Sequence, residues 1–457
     1  MRALVAGCLA LSAASLLLPS QPSYDPWAWI VWGREIAFLE FDTVGGPSWK
    51  PGPVIFTLAF APFDKLSDSI PPALWLVVAR AGALLALAMA FRLAQRLAGP
   101  GRFTAIGAGV VATLALLLTP EWVRYMAHGN EVPLAVGLML WAVERHLDGE
   151  RRHALLLGFT ACLLRPEIFA FLLPYAIWLF RAEPGARRLV GGLAVALPVL
   201  WLVPEWIGSG DPFDAGAQAR VEPSWSLSLR DQPWLEALDR VHDMAGLPLE
   251  LGALAALTFA VRRRERVTLM LGAVAVLWVA LIVVMTENGF SGNARYFLPA
   301  VVIACVLAGV GAVRLATAVG RPAAVAGVAV LIAAASIPFL SDRTSGLDRQ
   351  WTKVERVTRL HADLEDAVRA AGGPDRVAAL GPPSVNRPFE THLAWEAMVS
   401  LDEVQESRGS AFVFKATGPD TGVRARRSGR SRHIRRVGGW DILAPPGERF
   451  AAVPSPR

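Results

Sequence analysis

Charge is the first thing this sequence has little of. Only 18% of its 457 residues are Asp, Glu, Lys or Arg, against about 25% in an ordinary soluble domain. Cysteine is scarce too: Cys8, Cys162 and Cys305 all lie inside apolar runs. They read as packing residues, which excludes a disulfide-stapled scaffold. No Cys/His set has zinc-site spacing. No internal repeat is visible, and with it goes the two-halved plan common among transporters. What remains is apolar, 54% of the chain, with a mean hydropathy of +0.41. That composition defines a polytopic membrane protein. The net charge of +6 is mostly arginine, and its placement speaks to topology and anionic lipid rather than to nucleic acid.

Windows of about 20 apolar residues give about eleven candidate transmembrane helices. They lie near 2–18, 71–95, 103–119, 132–147, 153–164, 167–181, 188–206, 247–261, 267–286, 296–315 and 322–340. The first resembles a signal peptide, but Leu16-Leu17-Leu18-Pro19-Ser20 is a poor cleavage site, so it reads as a retained helix. Arginines gather in every second loop: Arg92, Arg96 and Arg102; Arg145, Arg151 and Arg152; Arg181, Arg187 and Arg188; Arg262 to Arg264 and Arg266; Arg314 and Arg321. The positive-inside rule therefore puts the N-terminus in the cytoplasm and, with eleven spans, the C-terminus outside. The apolar piece Pro53–Phe63 is too short, at about 1.5 Å per residue, to cross a core of about 30 Å. It is expected as an outer-face juxtamembrane helix.

The outer loops hold nearly all the other polar signals. In Tyr24-Asp25-Pro26-Trp27, Asp before Pro marks a helix start, with Asp25 as N-cap and Pro26 at the first helical position. Trp29, Trp32, Ile36 and Leu39 then share one face, as a helix lying in the membrane interface requires. Later outer loops carry Glu121, Arg124, Glu131-Val132-Pro133-Leu134, Arg165-Pro166-Glu167 and Arg295-Tyr296-Phe297-Leu298-Pro299, and Arg80 lies about two turns into the second span. Singly, each could be a snorkelling surface charge, and Glu35 and Asp64 are expected to be solvated. Together they form acids and cations at one membrane level, where charge is expensive and usually functional. After 341 the character changes. Leu360–Val368 has helical periodicity ending at Gly372-Gly373, while Val377–Leu380 and Ala411–Phe414 read as strands. Residues 1–340 thus form a membrane domain and 341–457 a small extracytoplasmic α/β domain. Arg424, Arg426, Arg427, Arg430, Arg432, Arg435 and Arg436 are either a solvated loop or a patch for anionic headgroups.

These residues resemble the C-type glycosyltransferase superfamily, in particular its protein mannosyltransferase and lipid A aminoarabinose transferase branch. The pattern is nearest that of actinobacterial-type members. Asp25 matches the acid after the first span, and Trp49-Lys50-Pro51-Gly52-Pro53 takes the place of a His-Pro-Pro-Leu-like element. Arg80, Glu131-Val132-Pro133-Leu134 and Arg295-Tyr296-Phe297-Leu298-Pro299 match later motifs in order. Two departures stand out: lysine where histidine is usual at 50, and glutamate where aspartate is common at 131. The resemblance covers roughly 1–340 and has no counterpart for the tail. It implies transfer of a sugar from a polyprenyl-phosphate donor to a cell-envelope glycan, lipid or protein acceptor outside the cytoplasmic membrane. That chemistry needs a base for the acceptor hydroxyl and cations for the departing phosphate. Asp25 is assigned as base and Glu131 as a second carboxylate. Lys50, Arg80, Arg295 with Tyr296, and Arg165 are assigned to the lipid phosphate. No cofactor is expected, although Glu40-Phe41-Asp42 resembles an acid-x-acid motif for a divalent metal. The rival classes are a flippase or transporter for lipid-linked sugars and a non-catalytic envelope scaffold.

Overall fold

The computed structural model describes all residues except 20, 221–224, 319–321, 406–410, 419–420, 422–430 and 446–457. It opens with α1 (Arg2–Ala14), α2 (Tyr24–Phe38), α3 (Pro51–Phe60) and α4 (Ile70–Ala98). Next come α5 (Arg102–Leu117), α6 (Trp122–Ala127), α7 (Val132–Leu147), α8 (Arg151–Leu164), α9 (Phe169–Ala182) and α10 (Arg187–Ser209). A short α11 (Asp214–Gln218) precedes α12 (Pro233–Ala245), α13 (Leu247–Arg263), α14 (Arg266–Glu287), α15 (Ala294–Thr317) and α16 (Pro322–Ala335). The chain ends in α17 (Ile337–Ala370), α18 (Pro374–Ala379), β1 (Ser384–Val385), α19 (Glu390–Glu396), α20 (Leu401–Gln405), β2 (Val413–Ala416), β3 (Arg432–Val437) and β4 (Trp440–Ala444). Every apolar window holds a helix. Among the described residues four helices are long and apolar enough to cross a membrane, or up to six if α12–α13 and α16–α17, bent by 89° and 48°, each count as one span. The remaining apolar helices fall below the roughly 20 residues a straight crossing takes.

The two ends of the bundle differ in chemistry. At one end Arg92 pairs with Glu144 at 2.6 Å and Arg151 with Glu183 at 3.1 Å. Arg314 there reaches both Glu265 and the Leu97 carbonyl at 2.7 Å. These residues close α4, α7 and α15 and open α8. The other ends of α7, α8 and α15 carry Glu131, Arg165 and Arg295. The arginine-rich loops and the predicted site residues thus lie on opposite faces of the bundle. In its middle, helices cross at small residues, as apolar surroundings favour. A Cβ on Gly311 would run into the Gly252 carbonyl, and one on Gly309 into the Ala108 carbonyl. That close approach lets α15 sit inside α5 and α13, far more buried than α10 or α14.

The tail departs from expectation in two ways. The 340/341 boundary falls inside α17, a single 34-residue helix. Val377–Leu380, expected as a strand, closes α18 instead, because Pro374 after Gly372-Gly373 starts a new helical turn. The other expected strand is present as β2, in a four-stranded sheet of order β1-β2-β4-β3. β1 and β2 run parallel and the other pairs antiparallel. Gly438 turns the β3–β4 hairpin at φ +49, where a Cβ would collide with Asp363 of α17. Asp363 accepts the Gly439 N–H at 2.8 Å, and Trp440 Nε1 donates to the Leu360 carbonyl at 2.8 Å. Of the arginine run, Arg432, Arg435 and Arg436 lie on β3. Arg424, Arg426, Arg427 and Arg430 are outside the described residues.

The tail also shares its core with the juxtamembrane helices: Trp27, Trp29, Trp32 and Trp75 join Leu364, Phe389, Trp395 and Trp440 in one buried cluster. Consequently α2 is not half exposed at an interface. It is buried on all sides from Asp25 to Glu35, because α3 covers one flank and α19 the other.

Candidate active site

Six of the seven residues assigned from sequence converge. Helix α2 starts at Tyr24 with Ser23 as its N-cap, so Asp25 lies in the first turn and is not the cap. Its carboxylate is thereby free to accept from Arg295 Nη1 at 2.5 Å. Lys50 precedes Pro51 at the start of α3, and that proline, missing its N–H, makes the abrupt turn. Lys50 Nζ lies 2.6 Å from Glu131 Oε1, 3.9 Å from Asp25 and over the Trp29 ring at 5.4 Å. Glu131 precedes α7, where Asn130 Oδ1 takes the Val132 N–H at 3.2 Å, so its own carboxylate is spared a capping role. Arg165 ends α8, 3.2 Å from Glu131 Oε1 and 2.7 Å from Glu167. Its guanidinium stacks over Tyr296 at 4.5 Å, and that of Arg295 lies 5.9 Å from the same ring.

Three cations, Lys50, Arg165 and Arg295, therefore face three carboxylates, Asp25, Glu131 and Glu167. Glu131 is wholly buried, and Asp25, Lys50, Arg165 and Glu167 nearly so. Burial by itself would raise the Glu131 pKa, but Lys50, Arg165 and Arg295 outweigh it and hold the carboxyl below its ordinary range. Burial also pulls Lys50 down; Glu131 opposes that, while Arg295 and Arg165 add to it. The charges balance, but the hydrogen bonding is incomplete. Glu131 Oε2, Glu167 Oε2 and Arg295 Nε are buried without a hydrogen-bond partner. Such atoms are expensive in a core and call for an explanation.

Arg80 lies apart. Nη1 donates to the Ser15 carbonyl and hydroxyl at 3.0 and 2.9 Å, and Nη2 to the Ala127 carbonyl at 2.8 Å. It ties together the ends of α1 and α6, where a cation suits the exposed carbonyls. Asp42 accepts the Val44 N–H at 2.7 Å, and Glu40 is exposed. Among the described residues no three His, Cys, Asp or Glu side chains converge as metal ligands would.

Three participants were not assigned from sequence. Glu167 supports Arg165, and the Arg165-Pro166-Glu167 turn was the signal for it. Asn293 caps α15, accepting the Arg295 N–H and the Tyr125 hydroxyl, each at 3.2 Å. Trp29 lies under Lys50. Glu35, expected to be solvated, is buried, and that burial pushes its carboxyl up to about 8 against the pull of Arg34.

Beside the cluster, α8, α9 and α10 enclose an apolar groove of about 470 Å³. Its lining includes Phe159, Phe169, Leu197 and Trp201, with Pro166 next to Arg165 at one end.

This fold, a helical bundle with a buried ion cluster at one end and a small α/β unit, is similar to that of solved membrane-protein structures. ArnT from Cupriavidus metallidurans bound to undecaprenyl phosphate aligns with a TM-score of 0.58 at 16% identity, over 96% of this chain and 97% of that one. The apo form of the same protein aligns at 0.57 and 15%, over 95% and 96%. A crystal structure of the Archaeoglobus fulgidus oligosaccharyltransferase covers 87% of this chain and 61% of its own, at 13% identity and a TM-score of 0.47. The likeness to ArnT is one of fold, and it extends through the tail. No family model and no curated protein matches the sequence.

Proposed function

We propose that the protein is a glycosyltransferase of the cytoplasmic membrane that moves a sugar from a polyprenyl-phosphate donor to an acceptor on the outer face. The observation that carries this reading is the buried cluster of three cations and three carboxylates beside an apolar groove. The groove suits a prenyl chain, and its end at Pro166 sets a bound headgroup beside Arg165. Lys50, Arg165 and Arg295 offer charge-assisted hydrogen bonds to a phosphate. Asp25 takes the proton of the acceptor hydroxyl as that oxygen attacks the anomeric carbon. The bond to the lipid phosphate breaks, and the cations stabilise the charge left on it. Glu131 is first a counter-ion, keeping Lys50 and Arg165 charged in a dry setting. Tyr296 holds the Arg165 guanidinium flat. Attack from the side opposite the phosphate inverts the anomeric configuration. No cofactor enters these steps.

Lipid profiling of a deletion strain tests this reading. A polyprenyl-phosphate sugar should accumulate and an envelope glycoconjugate should lose that sugar, with wild-type protein restoring both. An unchanged lipid-linked sugar pool that is redistributed across the membrane would instead identify a flippase.

A further inference from the structure

Helix α19 belongs to the C-terminal unit, yet it grips the turn of α2 that bears Asp25. Thr391 Oγ1 donates to the Tyr24 carbonyl at 2.8 Å. The next residue, His392, lies flat on Trp27, with ring centroids 4.2 Å apart and planes at 23°. Trp395 leans on the same indole at 6.1 Å. The residue just before Asp25 and the one two after it are therefore held by consecutive residues of one short helix.

His392 is fixed at both edges. Its Nδ1 is 2.9 Å from Nδ1 of His361 on α17, and its Nε2 is 3.2 Å from Glu396. Thr391, His392, His361 and Trp395 are all buried. Further along α2, Arg34 donates to the carbonyls of Trp395, Ala394 and Val399 at 3.2, 3.5 and 3.3 Å. The C-terminal unit thus contacts α2 at both ends, although all the residues of the ion cluster belong to the membrane domain.

We infer that Thr391 and His392 are positioning residues: through Tyr24 and Trp27 they set the place of the Asp25 carboxylate. The inference rests on the reading of Asp25 as the base. A base must lie within about 2.6–3.2 Å of the proton it takes, and a displacement of about 1 Å in a reacting group can lower a rate about a hundredfold. Asp25 stands on the first turn of its helix, the part most prone to fray. In this fold α19 pins that turn from outside, while Arg295 holds the carboxylate from within.

The test uses full-length protein expressed in the deletion strain. Two quantities are read: pulse-chase turnover of the accumulated polyprenyl-phosphate sugar, and the Kd of the purified protein for undecaprenyl phosphate. Thr391→Val keeps shape and removes the donor to Tyr24, so turnover should fall about ten- to a hundredfold with Kd and protein yield unchanged. Thr391→Ser, which restores the hydroxyl, should restore turnover. His392→Ala should behave as Thr391→Val does, and His392→Phe, which keeps a ring on Trp27, should recover part of the loss. Wild-type turnover in Thr391→Val and His392→Ala, with Asp25→Asn inactive, overturns the positioning role and leaves the base in place. Full turnover in Asp25→Asn overturns the base assignment itself. Equal losses of turnover, Kd and yield in the Val and Ser variants would show a purely structural contact and would also overturn the inference.

Discussion

Replacing Glu131 with glutamine changes one atom at the centre of the cluster, and the surrounding charges set the size of the effect. The carboxylate is wholly buried, 2.6 Å from Lys50 and 3.2 Å from Arg165. At an effective dielectric of about 20, those contacts carry roughly 6 and 5 kcal/mol of attraction. Desolvating the carboxylate takes back several of these, and the amide of glutamine retains a neutral hydrogen bond. The net loss on breaking such a buried pair is about 3–5 kcal/mol. Thermal unfolding in detergent should therefore shift down by several degrees. The second consequence is chemical. Burial already pulls the Lys50 ammonium down, and Glu131 is its main opposition. Without Glu131 the Lys50 pKa falls further, so the ammonium is lost at lower pH than in wild type and the affinity for undecaprenyl phosphate falls as pH rises. Titration of Kd between pH 6 and 9 should be steep in Glu131→Gln and shallow in wild type. Adding Lys50→Met should remove the slope by removing the titrating group. A Glu131→Gln protein that unfolds with wild type and shows a wild-type pH profile would refute the counter-ion role.

The same geometry sets further expectations. Asp25→Asn should lower turnover of the lipid-linked sugar about 10²- to 10⁴-fold, with undecaprenyl phosphate binding retained. Glu35→Gln is read by stability against pH. The folded-state pKa of Glu35 is raised to about 8, so its proton is held more tightly folded than unfolded. Stability is full below the ordinary carboxylate pKa and declines by up to about 1.4 kcal/mol per pH unit towards about pH 8. The glutamine variant should lose that decline in unfolding measured at pH 5 and pH 8. For topology, Asp375→Cys on the C-terminal unit should label in intact cells and Glu150→Cys only after permeabilisation; the reverse pattern would invert the site's side. EDTA should leave turnover unchanged, and a loss reversed by added divalent ion would bring Glu40 and Asp42 into the reaction.

The positions of the apolar helices were legible because hydropathy over a window is a direct reading of transfer free energy. The order of the charged loops was legible for a related reason: charge at a membrane boundary survives only where it is paired or used. Hydropathy does not report what lies across a contact. Asp25 and Arg295 are 270 residues apart, and no local pattern distinguishes an acid that caps a helix from one turned to a distant guanidinium. Glu35 shows the same limit, since the sequence places Arg34 beside it but not the tail that buries them both. Arg80 lies apart from the cluster for the opposite reason. A lone cation in a span commonly marks a ligand, but two helix C-termini, at Ser15 and Ala127, supply the carbonyls that satisfy it. The strand expected at Val377–Leu380 failed on a small matter of backbone chemistry, because proline at 374 opens a turn of helix before β-propensity can act.

The equality of charge in the cluster shapes the proposed reaction. Three cations already matched to three carboxylates attract an anion weakly from a distance, yet each can change partner once a phosphate arrives. Arg295 is the cation for which that exchange matters most, because its partner is the proposed base. While Arg295 donates to Asp25 Oδ2 at 2.5 Å, that oxygen is occupied and is not open to an acceptor hydroxyl. In the proposed reaction a donor phosphate that takes over Arg295 releases Asp25 from that bond and frees its oxygen for the acceptor hydroxyl. The lone buried Nε of Arg295 gives the guanidinium a donor to offer as it turns. Under that proposal donor binding precedes activation of the acceptor, and a site without donor keeps its base paired with Arg295. Glu131 and Glu167 lie deeper than Asp25, so in that proposal they keep Lys50 and Arg165 charged while those cations also bond the phosphate, and the Arg295–Asp25 pair is the outermost of the three to open.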